Sequence, residues 1–173
     1  MERKSTMNVR PLRKSHPMGT PGIGLDKQAH EAMIKELEVT LADTFMIMIK
    51  TQGVHWNVTG SSFFSVHNLT EEHYRALFEA IDNLAERIRT LGGKATASYN
   101  RYMELTSLKE TDQPAEVHEQ LQWLIEDHEA IARRLRPLVG KAEEENDWVT
   151  HDMLTGRLGF HEEAVWMLRA LNA

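Results

Sequence analysis

Cysteine is absent from the 173 residues, so disulfides and thiolate metal sites are excluded. Any metal must be held by histidine and carboxylate, a ligand set compatible with Fe(II), Mn(II) or Zn(II). Long apolar runs are missing too. The longest, Phe45 to Ile49, is far short of a membrane span. The first 24 residues carry basic side chains without the hydrophobic stretch of a secretory signal, so a cytoplasmic location is expected. A third absence concerns spacing. None of the nine histidines has a glutamate three residues before it. This removes the paired Glu-x-x-His motif that builds a two-metal site inside a helical bundle.

What is present points to one helical domain. With 41% apolar and 27% charged residues, the chain is long enough for a sizeable core. Charge is unevenly spread. Residues 1–24 hold Arg3, Lys4, Arg10, Arg13 and Lys14 against Glu2, a net of +4, and the formal total of −6 then leaves −10 on the other 149 residues. With Pro11, Pro17, Pro21, Gly19, Gly22 and Gly24, this segment reads as a flexible basic arm, and residues 25–173 as the folded domain. The arm suits contact with nucleic-acid phosphates without sequence readout, or serves solubility alone.

Apolar spacing predicts four long helices. From Asp26, a plausible N-cap, Ile34, Leu37, Leu41, Thr44, Met48, Thr51 and His55 fall in steps of three and four. Ser62 is the expected N-cap of a second helix from about Phe63 to Leu91, ended by Gly92-Gly93. Pro114 after Asp112 suits the start of a third, whose seam is Val117, Leu121, Leu124, His128, Ile131, Leu135 and Leu138. Pro137 is expected to kink or end that helix, with Gly140 marking a boundary. The fourth, roughly Trp148 to Leu171, is expected to bury Val149, Met153, Phe160, Ala164, Met167 and Leu171. His73 and His128 fall on core stripes and read as structural. The nine Met read as core filler.

The second helix carries the chemistry. At about 100° per residue, Glu71, Asp82 and Glu86 lie roughly 40°, 60° and 100° round from His67, opposite the apolar stripe of Leu69, Leu77, Leu84, Ile88 and Leu91. His67 with Glu71 is separated from Asp82 with Glu86 by roughly 16 Å along the axis, too far for one ion. An antiparallel copy of the helix, related by a twofold axis between Ala76 and Leu77, sets His67 against Glu86 and Glu71 against Asp82. A homodimer then carries two equivalent shared sites. Phe64, Tyr74 and Phe78 on the same side suit a buried interface. For any one carboxylate a solvated face is the simpler reading, since Glu71 with Arg75 and Arg75 with Glu79 form opposite-charge i,i+4 pairs. Asp82 and Glu86 argue against it, being like charges one turn apart, which costs a helix a few tenths of a kcal/mol unless a cation intervenes.

The stretch HWNVTGSSFFSVHNLTEEHYRALFEAIDNLAERIRTLGG resembles the signature of the Dps family, the miniferritins that protect DNA in starved cells. The resemblance covers roughly residues 26–173 and is dense in 55–93. It implies an all-α, ferritin-like four-helix bundle with a short helix in the connection between the second and third helices, here within residues 95–109. It also implies a ferroxidase site between subunits, made of His55, His67, Glu71, Asp82 and Glu86, where Fe(II) binds and is oxidised by hydrogen peroxide, with O2 the slower alternative. Glu71 stands where the family usually has Asp, so one or two irons per site both stay open. Trp56 lies close to the metals in such a site. A homo-oligomeric shell, a dodecamer built from twofold dimers, is implied, with ferric iron stored inside. Zn(II) is a competitor for the site on affinity order.

Before the last helix lie Glu143, Glu144, Glu145, Asp147 and Asp152. Acids at a helix N-terminus are favoured by its dipole. In a Dps-like shell this region lines a threefold pore, where Asp147 and Asp152 attract Fe(II). The rival reading is a nucleoid-compacting, DNA-binding protein whose metal sites are structural zinc sites.

Overall fold

A computed structural model describes residues 21–111 and 115–173. Arg3, Lys4, Arg10, Arg13 and Lys14 of the basic arm, and the Asp112 and Pro114 expected to open the third helix, lie outside the described residues. Among the described residues five helices run in order: α1 (Lys27–Asn57), α2 (Phe63–Thr90), α3 (Tyr99–Leu105), α4 (Val117–Glu144) and α5 (Trp148–Leu171). None of them is long and apolar enough to cross a membrane.

Local signals set most of the helix ends. Asp26 caps α1, its Oδ1 accepting from the backbone N–H of Gln28 at 2.8 Å. At the end of α2, Gly92 takes φ 91°. Its N–H donates to the Arg89 carbonyl while that of Gly93 donates to Ile88, at 3.0 and 2.9 Å. This is the paired bonding by which a left-handed residue closes a helix. Between α4 and α5, Asn146 plays the same part at φ 58°. Asp147 donates to the Ala142 carbonyl and then caps α5 by accepting from the Thr150 N–H at 3.0 Å. One short turn thus stops one helix and starts the next.

Three local expectations fail. Ser62 precedes α2 but its side chain caps nothing; Gly60 at φ 88° turns the chain instead, its carbonyl accepting from Phe63 N–H. Pro137 neither ends nor bounds α4, which runs on past Gly140 to Glu144. The missing hydrogen bond costs a helix about 3 kcal/mol. Burying Leu138 and Ala142 beyond the proline offsets that cost. In α5, Val149 is 61% exposed and the buried apolar residues are Leu154, Ala164 and Leu168, with Met153, Phe160 and Leu171 only partly buried. Trp148, Val149 and Trp166 are all exposed, so α5 has apolar side chains on more than one face and its periodicity admits several phases.

The long helices form two hairpins, α1 with α2 and α4 with α5, which meet through α1 against α4 and α2 against α5. Leu37, Leu41, Ile47, Leu77, Leu84, Ile88, Leu124, Ile131 and Leu135 fill the space between them. The short helix α3 lies on α1. Buried charges pin this connection. Asp43 accepts from Thr106 Oγ1, Ser107 N–H and Ser107 Oγ at 2.6–2.9 Å, and from Arg134 Nε at 3.0 Å. Lys50 pairs with Asp127 and donates to the Lys109 carbonyl. Removing one partner of such a buried pair leaves an uncompensated charge, so these contacts determine where the connection sits.

Inside the bundle are His73, His128 and His161, with His128 Nδ1 2.8 Å from His161 Nδ1. One ring must donate and the other accept. Burial lowers all three, His73 from 6.5 to about 4 and the other two well below the ordinary value. The unfolded chain gains protons below about pH 6.5 while the folded chain does not, so stability is full above that pH and falls as pH drops.

Two outcomes test this packing. A Cβ at Gly93 meets Ile34 Cγ2 and Ile88 Cγ2 at 2.9 Å, so Gly93→Ala should lower unfolding stability by about 1–3 kcal/mol in urea titrations. The urea midpoint should be flat above pH 6.5 and decline toward pH 4, with His161→Phe reducing that decline. A midpoint that rises on acidification contradicts the buried neutral cluster.

Candidate metal centre

The last turn of α1 and the first turns of α2 bring two histidines face to face. His55 is buried, and its ring stacks on that of His67 with centroids 3.8 Å apart at 20°. His55 Nδ1 lies 2.9 Å from the His67 carbonyl, and His67 Nδ1 lies 3.0 Å from the His55 carbonyl. A carbonyl only accepts, so both Nδ1 atoms carry the hydrogen. The lone pair of each neutral ring is therefore on Nε2, the state required of a metal ligand. The short loop 58–62 makes this reciprocity feasible by returning α2 beside the end of α1. Phe63 stacks on His67 at 5.0 Å, and Tyr74 stands edge-on to His55 at 5.2 Å.

One turn past His67, Glu71 is partly buried and ion-paired with Arg75. Asp82 and Glu86 lie farther along α2, both exposed. Phe78, 67% exposed, lines a shallow depression with Ile81, Asp82 and Ala85. Phe64 and Trp56 are also exposed, at 77% and 69%. Among the described residues, no three histidines or carboxylates of one chain converge on a point. The chain thus brings His55 and His67 together with Glu71 nearby, and keeps Asp82 and Glu86 apart from them.

A family model for the ferritin-like domain matches residues 34–173. A low temperature-induced protein from Nostoc sp. is 42% identical over 86% of this chain and 84% of its own length. The DNA protection during starvation protein 2 of Bacillus anthracis is 32% identical over 84% of this chain and 97% of its own. The chain belongs to the Dps family of miniferritins. Its bundle superposes on the crystal structure of a Dps protein from Vibrio cholerae O1 with a TM-score of 0.83 and 31% identity, covering 90% of this chain and 98% of that one. That protein is described as a member of a broad superfamily of ferritin-like diiron-carboxylate proteins. As a Dps-family miniferritin, this chain is an iron-binding protein.

The donor set fits iron. Two imidazoles with defined tautomers and oxygen donors from carboxylates suit Fe(II), and the carboxylates suit the harder Fe(III). Elsewhere, Asp147 has a local role within the chain. Asp147 is buried, and burial raises its carboxyl pKa. Hydrogen bonds from Thr150 and Arg87, the latter at 2.6 Å, outweigh that and hold it below the usual range. Its charge is taken up by the cap and by Arg87, while Asp152 on α5 remains exposed. Sequence reasoning passed over Arg87, and it did not connect Tyr74 to His55. The available signal for Arg87 was a cation one position before the core residue Ile88.

The imidazole geometry has a direct spectroscopic signature. In metal-free protein, the neutral rings of both His55 and His67 should show as Nδ1–H tautomers in long-range 15N–1H correlation spectra. Nε2–H forms at either residue would contradict the reciprocal arrangement.

Proposed function

We propose that this protein is a ferroxidase that oxidises Fe(II) at sites shared between two subunits and stores the ferric product inside a homo-oligomeric shell. The observation that carries this reading is the reciprocal hydrogen bonding of His55 and His67, which leaves both Nε2 lone pairs free of that contact, with Glu71 one helical turn beyond His67. His55, His67 and Glu71 of one subunit hold Fe(II), and Asp82 and Glu86 of a twofold-related subunit complete the sphere. The exposed Phe64 and Phe78 on the same side of α2 supply apolar surface for that dimer. Further association of dimers into a dodecamer follows the family's pattern.

Iron is the substrate. Each Fe(II) loses one electron; hydrogen peroxide takes two, its O–O bond breaks, and the oxygens leave as hydroxide or water. Two-electron reduction avoids hydroxyl radical, which is how the reaction protects DNA. The imidazoles contribute neutral donors that tolerate Fe(II), and the carboxylates stabilise the charge gained on oxidation. Exposed Asp152 draws cations toward the shell. Residues 1–24, with a net charge of +4, add an electrostatic attachment to DNA phosphates. A reducing cytoplasm suits a chain without cysteine.

The double variant His67→Ala with Asp82→Ala should lose rapid peroxide-dependent Fe(II) oxidation, followed by absorbance of the ferric product, while size-exclusion chromatography shows the oligomer intact. Wild-type rates in that variant would remove the assignment.

A further inference from the structure

Glu71 does not stand alone. Its carboxylate is paired with the guanidinium of Arg75, one turn further along α2. The Tyr74 ring stands edge-on to His55 with centroids 5.2 Å apart. A cation therefore sits on the one carboxylate that this half-site owns, next in sequence to the Tyr74 ring that meets His55.

The strength of that pairing is limited by solvent. Arg75 is 69% exposed and Glu71 32%. An exposed pair of this kind is held weakly and is screened by salt. A divalent ion bound by imidazoles as well as carboxylate holds the same oxygens more strongly. With guanidinium and metal both present, two positive charges share one acid and repel. We propose that Arg75 is an electrostatic gate on this site: it neutralises Glu71 until a divalent cation displaces it, and so sets the affinity threshold for entry. The inference rests on the metal-site reading above. Arg75 acts through Glu71 and is a positioning residue, not a catalytic one.

Zn(II), which does not turn over, is the probe, titrated by calorimetry into the assembled protein. Arg75→Gln should tighten His67-dependent Zn(II) binding by roughly threefold to tenfold at low ionic strength. The gain should shrink toward unity near 1 M salt, where charges are screened beyond about 3 Å. Arg75→Lys keeps the charge and should stay within about twofold of wild type. Sedimentation velocity confirms that assembly is unchanged. If Arg75→Gln disturbs assembly, Arg75→Met takes its place, because it keeps the aliphatic stem without the charge and should tighten binding to a similar extent. His67-dependent binding that is unchanged or weakened in Arg75→Gln, or in Arg75→Met where that variant is used, overturns the gate alone. Wild-type binding that His67→Ala does not weaken overturns the metal-site reading and the gate with it.

Discussion

Two hydrogen bonds hold the chemistry of this molecule in place. His55 donates to the carbonyl of His67, and His67 donates to the carbonyl of His55. Each bond is ordinary, and a neutral hydrogen bond contributes only about 1 kcal/mol net. Their reciprocity matters more than their strength. It fixes both tautomers, stacks the rings and ties the end of α1 to the start of α2. Without it the imidazoles would rotate and exchange tautomers. A metal would then have to order them as it bound.

The rest of the bundle keeps that pair in register. Asp43 and Arg134 fasten the connection to α1 and α4, Lys50 reaches Asp127 on α4, and Arg87 fastens α2 to the turn before α5. These contacts are buried, so their stabilising value is small next to the cost of breaking them. They act as locators. The apolar core supplies the driving force for collapse, and the ionic contacts select one arrangement of the connection among several that would bury similar area. The proposed function falls to the surface of α2, where a rigid helix spaces the four proposed ligand side chains better than a loop would.

Much of this was legible in the sequence because helical periodicity survives in three of the long helices. The α1 stripe from Ile34 to His55 and the α4 seam from Leu121 to Leu138 lie in or against the core. On α2, His67, Glu71, Asp82 and Glu86 could be seen to share a side opposite the buried Leu77, Leu84 and Ile88. Other features were hidden for physical reasons. Pro137 reads as a breaker locally, but burial beyond it decides the outcome. The stripe of α5 is blurred by Trp148, Val149 and Trp166, which are apolar yet exposed. That His55 and His67 exchange hydrogen bonds depends on the path of loop 58–62, which no periodicity encodes. Asp147 could be read from sequence as an acid favoured at a helix N-terminus, but its contact with Arg87, sixty residues away, could not.

The central claim is that one subunit owns imidazoles and lacks acids, while its mate reverses the relation. Subunits carrying His67→Ala can be unfolded, mixed and reassembled with subunits carrying Asp82→Ala and Glu86→Ala. Each mixed dimer then has one fully wild-type site and one site lacking ligands from both sides. The account predicts that two inactive populations regain about a quarter of wild-type Fe(II) oxidation on equal mixing, since roughly half the dimers are mixed and each has one working site. Reassembled mixtures of wild-type size that stay inactive would contradict it, as would full activity in either parent alone.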